Sequence, residues 1–253
     1  MTFPLTCSSP CSILRANLSS DPLNVAINAY VEQASACKHA NDQPRGYLGA
    51  SLIGDECLRK IQFEWMVATT NFPARVRSIF ARGHFFEGES RQLLINAGFA
   101  FAPPEVLGFI AVDGLIAGHA DGIIIKAPAV PGLYLATPAL WEHKALNAKN
   151  YRAVERDGLA KVFPRYAAQV ALYQNFLKVV ANPALVTITN ADTCERLYFT
   201  VLFDARRAQE ASDRAVQVIE ATRVGELLPR LDQSLEDFRC KMCSRRERCL
   251  RYE

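Results

Sequence analysis

Three ionisable side chains stand where strands ought to be buried. Asp121 lies in Gly118-His-Ala-Asp-Gly-Ile-Ile-Ile125, and Glu142 and Lys144 follow 21 and 23 positions later at the end of an apolar run. Side chains alternate across a strand, so Glu142 and Lys144 project to one face, and a hairpin from the Asp121 strand sets its carboxylate beside them. Burying each charge alone costs several kcal/mol, so such groups are expected in pairs or around a metal. Two carboxylates suit a hard divalent cation, and Mg²⁺ is typically held by one or two carboxylates with substrate phosphates adding further oxygens. The chemistry indicated is attack on a phosphodiester.

Taken singly, each group has a plainer reading. Asp121 before Gly122 suits a turn, Glu142-His-Lys144 suits an exposed ion pair, and Glu87 can sit at the edge of a helical stripe. The apolar flanks Ile123-Ile124-Ile125 and Ala139-Leu140-Trp141 argue against exposed strands. Arg165, Gln169 and Tyr173 recur at i, i+4 and i+8 and share a helical face; an ordinary amphipathic helix with a polar edge has the same pattern.

Residues 1–45 are rich in Ser, Asn, Pro and Ala, with a short helical pattern at Val25–Ala36, and form a loosely packed leader; the compact domain is expected over 46–253. Ser51–Trp65 reads as a turn entering a helix with Asp55 as cap. From Ala74 to Ala97 the apolar positions recur at helical spacing, Glu87 falls on the stripe, and Gly98 ends the helix. Strands follow at Val106–Val112, Leu115–Ile125 and Leu133–Ala145, separated by Val112-Asp-Gly114 and Pro128-Ala-Val-Pro-Gly132 turns. A polar link through Arg156 leads to a helix at Tyr166–Val180, strands at Leu185–Thr189 and Leu197–Phe203, and a helix at Ala205–Ala221. This is a mixed α/β plan without internal repeats.

A chain of 253 residues, half of them apolar, buries one substantial core. Its formal charge of +3 excludes a histone-like binder, so any polyanion site is local. No apolar run approaches the roughly 18 residues that span a bilayer. The first 20 residues lack a basic start and a continuous apolar segment, so a cytoplasmic location is expected. In a reducing compartment clustered thiols indicate metal or catalysis more often than disulfides. Of the eight cysteines, Cys240, Cys243 and Cys249 fall within ten residues, and Cys7, Cys11, Cys37, Cys57 and Cys194 are scattered. Four thiolates suit tetrahedral zinc or an iron-sulfur cluster, and spacing does not choose between them. Around the trio, six basic residues from Arg239 to Arg251 against Glu247 give a local balance of +5, which offsets a thiolate-bound cluster or meets phosphates.

The ordered set Gly83-x-x-x-Glu87, Gly118-x-x-Asp121, Glu142-x-Lys144, Gln169-x-x-x-Tyr173 resembles the RecB-like branch of the PD-(D/E)XK nuclease superfamily, from about Leu48 to Cys249. The resemblance implies a restriction-endonuclease-like core, a mixed central sheet flanked by helices, with an iron-sulfur-clipped helical appendage. Many relatives carry a histidine where Glu87 stands. His84, about 60° around the helix, is the alternative metal ligand, but Glu87 keeps the four-residue distance from Gly83. A single cysteine before the core with C-x2-C-x5-C after it is similar to the [4Fe-4S] sites of RecB-like exonucleases of CRISPR spacer acquisition and bacterial helicase-nucleases. That similarity implies Cys57, 183 positions ahead of Cys240, as the fourth ligand; zinc at the same four cysteines is the alternative.

On this resemblance Glu87, Asp121, Glu142 and the backbone carbonyl of His143 hold Mg²⁺ or Mn²⁺, which generates the attacking hydroxide and neutralises charge on the phosphate. Lys144 orients that hydroxide and stabilises the transition state. Arg165, Gln169 and Tyr173 position DNA, and Tyr166 or Phe163 stacks on a base. The expected substrate is DNA, single-stranded or with free ends, cut from an end in recombination, repair or CRISPR adaptation, in a bacterial or phage-infected cell. No Gly-x4-Gly-Lys-Ser/Thr signature is present, so unwinding is left to a helicase or other partner protein. A catalytically silent DNA-binding scaffold and a zinc-stabilised binding module are the rival classes, and the sequence carries no clear oligomer interface.

Overall fold

A computed structural model of the chain describes residues 18–43, 45–66, 72–232 and 236–251. The first 17 residues of the expected leader, with Cys7 and Cys11, lie outside the described residues. The chain divides into two compact units, one drawn from Met1–Asp42 and Thr70–Arg77, the other from Gln43–Thr69 and Ser78–Glu253.

Among the described residues the strands are β1 (Leu48–Gly49), β2 (Ala100–Phe101), β3 (Gly108–Ala111), β4 (Ile116–His119), β5 (Gly122–Lys126), β6 (Ala139–Leu146), β7 (Ala184–Asn190) and β8 (Arg196–Val201). The α-helices are α1 (Pro22–Lys38), α2 (Ala50–Ile53), α3 (Leu58–Met66), α4 (Ala74–Asn96), α5 (Ala148–Asp157), α6 (Leu159–Val162), α7 (Pro164–Phe176), α8 (Ala205–Arg223), α9 (Phe238–Lys241) and α10 (Arg246–Leu250).

In the first unit, α1 starts where the Asp21 carboxylate accepts from the Leu23 and Asn24 amides at 2.9 and 3.3 Å, with Pro22 in the first turn. The second unit holds a three-stranded sheet ordered β1-β4-β3 and a five-stranded sheet ordered β2-β5-β6-β7-β8. In the larger sheet β6 and β7 are parallel and their neighbours antiparallel, so the sheet is mixed. The β6–β7 connection runs through α5, α6 and α7, a helical crossover of the kind parallel strands require.

Alternation along β6 divides two cores. Trp141 packs with Leu94 of α4, Phe99, Ile124 and Leu185, whereas Leu140 belongs to the larger cluster with Val170 and Leu172 of α7 and Ala211, Ala215 and Val218 of α8. Helices therefore cover both faces, and β7, buried along its whole length, runs between the two layers. Gly54 sets the approach of α2 to α7. A Cβ there would stand 2.6 Å from the Arg165 carbonyl oxygen, so only glycine admits the contact.

The structure departs from the sequence reading at three places. The expected strand Leu115–Ile125 is two strands in different sheets, because the chain crosses between them at Ala120–Asp121. The strand expected from Leu133 begins only at Ala139, after Pro138. The polar link through Arg156 is a helix, capped by the Asn147 side chain accepting from the Asn150 amide at 2.9 Å, buried only along Tyr151 and Val154 and closed by Gly158 at φ +82°.

Candidate active site

Asp121 stands where the chain leaves β4 for β5. The antiparallel register Gly122↔Trp141 carries one step further to set Asp121 opposite Glu142. Because β5 starts only at Gly122, β6 loses its partner on the β5 edge beyond Trp141 while it stays paired with β7, and on the open edge a side chain takes over: Asp121 Oδ2 accepts from the His143 amide at 2.7 Å. Two glycines make room for this seam. A Cβ on Gly118 would lie 2.6 Å from ring carbons of both Phe109 and Tyr173, and one on Gly122 would lie 2.8 Å from the Phe101 ring.

Glu142 is 1% exposed. One carboxylate oxygen accepts from the Lys144 ammonium, which also donates to the His143 carbonyl at 3.1 Å. The other, Oε2, is buried and has no hydrogen-bond partner among the described residues. Burial first, and then the Asp121 charge, push the Glu142 carboxyl up to about 8. Burial also raises Asp121, against the opposing pull of Lys144 and the His143 amide. Glu87 on α4 is raised by burial and then by Asp121, and its carboxylate lies 3.6 Å from His84 Nδ1, whose side chain is 82% exposed. Burial disfavours the Lys144 charge, but Glu142 and Asp121 outweigh it and hold the ammonium charged above the usual lysine range.

Three carboxylates thus share the pocket with a single lysine, each raised first by burial and two of them, Glu87 and Glu142, also by the Asp121 charge, and one carboxylate oxygen is orphaned. That donor set fits a divalent cation, whose charge would remove the mutual repulsion and whose coordination would satisfy Oε2. The side chains are not closed into a ligand cage: among the described residues no group of three or more His, Cys, Asp or Glu is arranged to hold a metal ion.

Gln169 and Tyr173 of α7 are buried, with Gln169 Nε2 donating to Tyr173 Oη at 3.3 Å and Gln169 Oε1 left without a partner among the described residues. Burial, then the Glu142 charge, lift the Tyr173 phenol to about 12, so it stays a hydrogen-bond donor near the acids. Arg165 is half-buried and turns instead to Tyr166, with its guanidinium 5.0 Å from the ring centroid and Nη2 3.3 Å from Oη. Lys144 Nζ lies 5.3 Å from the same centroid, a cation–π contact. Tyr166 therefore touches the lysine of the site, a relation that i, i+4 spacing does not reveal. The sequence reading also missed Thr189, whose hydroxyl shares a 2.9 Å hydrogen bond with His143 Nε2. The signal available was Thr187-x-Thr189 in an otherwise apolar strand.

Cys57, Cys240, Cys243 and Cys249 all line one cavity of about 390 Å³, and all four are free thiols. Cys37 and Cys194 are exposed. Burial raises the Cys240 and Cys243 thiols, and the neighbouring Cys57 adds to the rise in both. Basic side chains crowd the same walls but are matched: Lys60 with Asp55 at 2.5 Å, Arg245 with Glu64 at 2.6 Å, and Arg239 with Glu56. Four sulfur donors around one cavity fit a thiolate-ligated metal or cluster by donor chemistry, although the sulfurs do not form a closed ligand group.

Comparison with known proteins places the fold. The chain is similar in structure to an alkaline exonuclease (LHK-Exo) from Laribacter hongkongensis, with a TM-score of 0.50 and 14% identity over 76% of this chain and 93% of that one. The crystal structure of SSO0001 matches with a TM-score of 0.43 and 15% identity over 86% of this chain and 93% of that one. No family model and no curated protein matches. At such identity the likeness is one of architecture: a mixed α/β, nuclease-like fold. Among the described residues no helix is long and apolar enough to cross a membrane.

Proposed function

We propose that the protein is a metal-dependent deoxyribonuclease that hydrolyses DNA from an end, with residues 46–253 as the nuclease domain. The observation that carries this reading is the buried Glu142, paired on one oxygen with Lys144, open on the other and facing Asp121. The exonuclease fold of the structural neighbour and the compact unit that begins at Gln43 support it.

Glu87, Asp121, Glu142 and the His143 carbonyl would hold Mg²⁺ or Mn²⁺, which when bound makes water nucleophilic at neutral pH and offsets charge on the scissile phosphate. Lys144 supplies a fixed cation beside the attacked phosphorus, held in place by Glu142, the His143 carbonyl and the Tyr166 ring. Gln169 and Tyr173 offer a buried amide oxygen and a protonated phenol to the strand, and Arg165 meets its phosphates. Phe163 and Tyr166, 5.1 Å apart, present rings on which a base stacks.

The four cysteines that share the 390 Å³ cavity would hold a [4Fe-4S] cluster that joins α3 to the C-terminal helices. Its role is structural, and the surrounding basic residues offset its charge. DNA with free ends is the partner, a helicase or recombination or CRISPR protein supplies unwinding, and the setting is the cytoplasm of a bacterial or phage-infected cell.

End-labelled single-stranded DNA incubated with Mg²⁺ or Mn²⁺ tests the activity directly. The protein is expected to release short products, and Lys144→Ala to release none while retaining its circular dichroism. Cleavage by the Lys144→Ala protein at matched metal concentration overturns the scheme. Visible absorbance of anaerobically purified protein tests the cluster, and a colourless protein carrying zinc overturns that assignment.

A further inference from the structure

Glu142 and Lys144 project from one face of β6, and the opposite face carries a second polar set that the hydrolysis leaves unused. His143, 4% exposed, shares its Nε2 hydrogen bond with Thr189 Oγ1. Thr189 in turn lies 3.3 Å, hydroxyl to hydroxyl, from Ser90 of α4, and neither Thr189 nor Ser90 has any exposed surface. One step back along both strands Trp141 Nε1 donates to Thr187 Oγ1 at 2.9 Å, so two diagonal bonds tie β6 to β7 on this face. Behind Ser90 the Arg196 Nε donates to its hydroxyl at 3.5 Å, and Arg196 is paired with Glu89. The His143 ring is held neutral, its pKa lowered to about 3 by burial and then by Lys144 and Arg196.

The position of this chain of hydroxyls gives it a use. Ser90 lies one helical turn beyond Glu87, so whatever anchors Ser90 also fixes Glu87. The backbone of His143 donates to Asp121 and accepts from Lys144, so whatever anchors its ring also fixes the geometry of those two groups. Hydroxyls at the centre of an apolar layer are otherwise replaceable by Val and Ala, which pack there without a partner requirement. We propose that His143, Thr189 and Ser90 form a buried relay that sets the distance between Glu87 and the Glu142–Lys144 pair, and so the affinity of the site for a divalent cation. Thr189 and Ser90 are positioning residues. The inference rests on the reading of the acids as a metal site.

The test is Mn²⁺ binding by the full chain, read by electron paramagnetic resonance of free Mn²⁺ well below the melting temperature, without DNA. Outer partners of metal ligands typically change affinity by 10–100-fold, so Thr189→Val is expected to weaken Mn²⁺ about tenfold, Ser90→Ala about threefold, and Thr189→Ser to restore affinity to within about twofold. A purely structural role lowers the melting temperature and leaves Mn²⁺ affinity alone. Wild-type affinity in Ser90→Ala, and in Thr189→Val where it folds, overturns the relay. Wild-type protein that takes up no Mn²⁺ is a separate result that overturns the metal site and the relay with it.

Discussion

The acid pocket and the cysteine cavity both gather residues far apart in the chain, but different forces assemble them. The acids are placed by strand register: Asp121 faces Glu142 because Gly122 pairs with Trp141, and Lys144 follows by alternation. The cysteines meet because short helices, α9 and α10, are tied to α3. Arg245, at the start of α10, pairs with Glu64 of α3, and Arg239 of α9 pairs with Glu56 just ahead of α3, while the Gln62 amide of α3 holds the segment after α8 through Glu226 O at 2.6 Å and Leu228 N at 3.0 Å. Only Gln62 among them is fully buried, and partly exposed ion pairs stabilise by about 0–1 kcal/mol each. The geometry of the first site therefore rests on the sheet itself, and that of the second on partly exposed contacts, to which a group bound by the thiols, as proposed, would add.

The largest expected effect breaks one region and spares the other. Removing a transition-state donor costs about 10²–10³ in kcat, so Lys144→Ala is expected to lose at least that much cleavage of end-labelled DNA, and Glu142→Gln, which removes a ligand of the proposed metal, a comparable amount, each with the absorbance of the proposed cluster unchanged. Loss of colour in these variants would show that the two regions are not independent. Cys57→Ser makes the reciprocal cut: releasing the tie that the proposed cluster would make across so long a loop is expected to cost on the order of 2–4 kcal/mol of unfolding free energy in urea, with Mn²⁺ binding at the proposed acid site unchanged. Gly118→Ala drives a methyl into Phe109 and Tyr173, and overpacking of this kind costs about 1–3 kcal/mol. A melting temperature equal to wild type would mean that the two rings move aside freely.

The smallest effect sharpens the contrast through pH. In EDTA, the raised Glu142 carboxyl contributes stability that is complete below its ordinary value of 4.5 and lost as pH climbs toward about 8. At the cysteine end burial works against Glu64, but Arg245 outweighs it and lowers the carboxyl, so its contribution is present above 4.5 and lost as the solution becomes more acidic. Urea midpoints across pH should fall on the alkaline side for the acid pocket and on the acidic side for the tail. Glu142→Gln should flatten the first slope and Glu64→Gln the second, and an unchanged profile in either variant counts against the corresponding assignment.

What the sequence made legible follows from periodicity. The helix of Glu87, the strand of Glu142 and the helix of Gln169 and Tyr173 have long, regular apolar patterns, and their positions agree with the structure to within a few residues at most ends. The Asp121 segment was harder. Leu115–Ile125 is apolar apart from His119 and Asp121, and nothing in its period shows that the chain changes sheets after His119; the two glycines that permit the change meet aromatic rings distant in sequence. The helix α5 was hidden because only Tyr151 and Val154 are buried, too few to set a stripe. Tyr166 and Thr189 were invisible as neighbours of Lys144 and His143, since each contact spans two elements whose packing angle no local pattern records.

Asp121 sits on the seam between two sheets, and this makes the pocket a gauge of their mutual tilt. A nucleic-acid strand that leans on β3 and β4 would move the Asp121 carboxylate relative to Glu142, which is anchored in the other sheet. In the proposed nuclease, grip on the cation and grip on the polymer would then rise and fall together, and a duplex end, a hairpin and a bare strand of the same sequence would each load the ion differently.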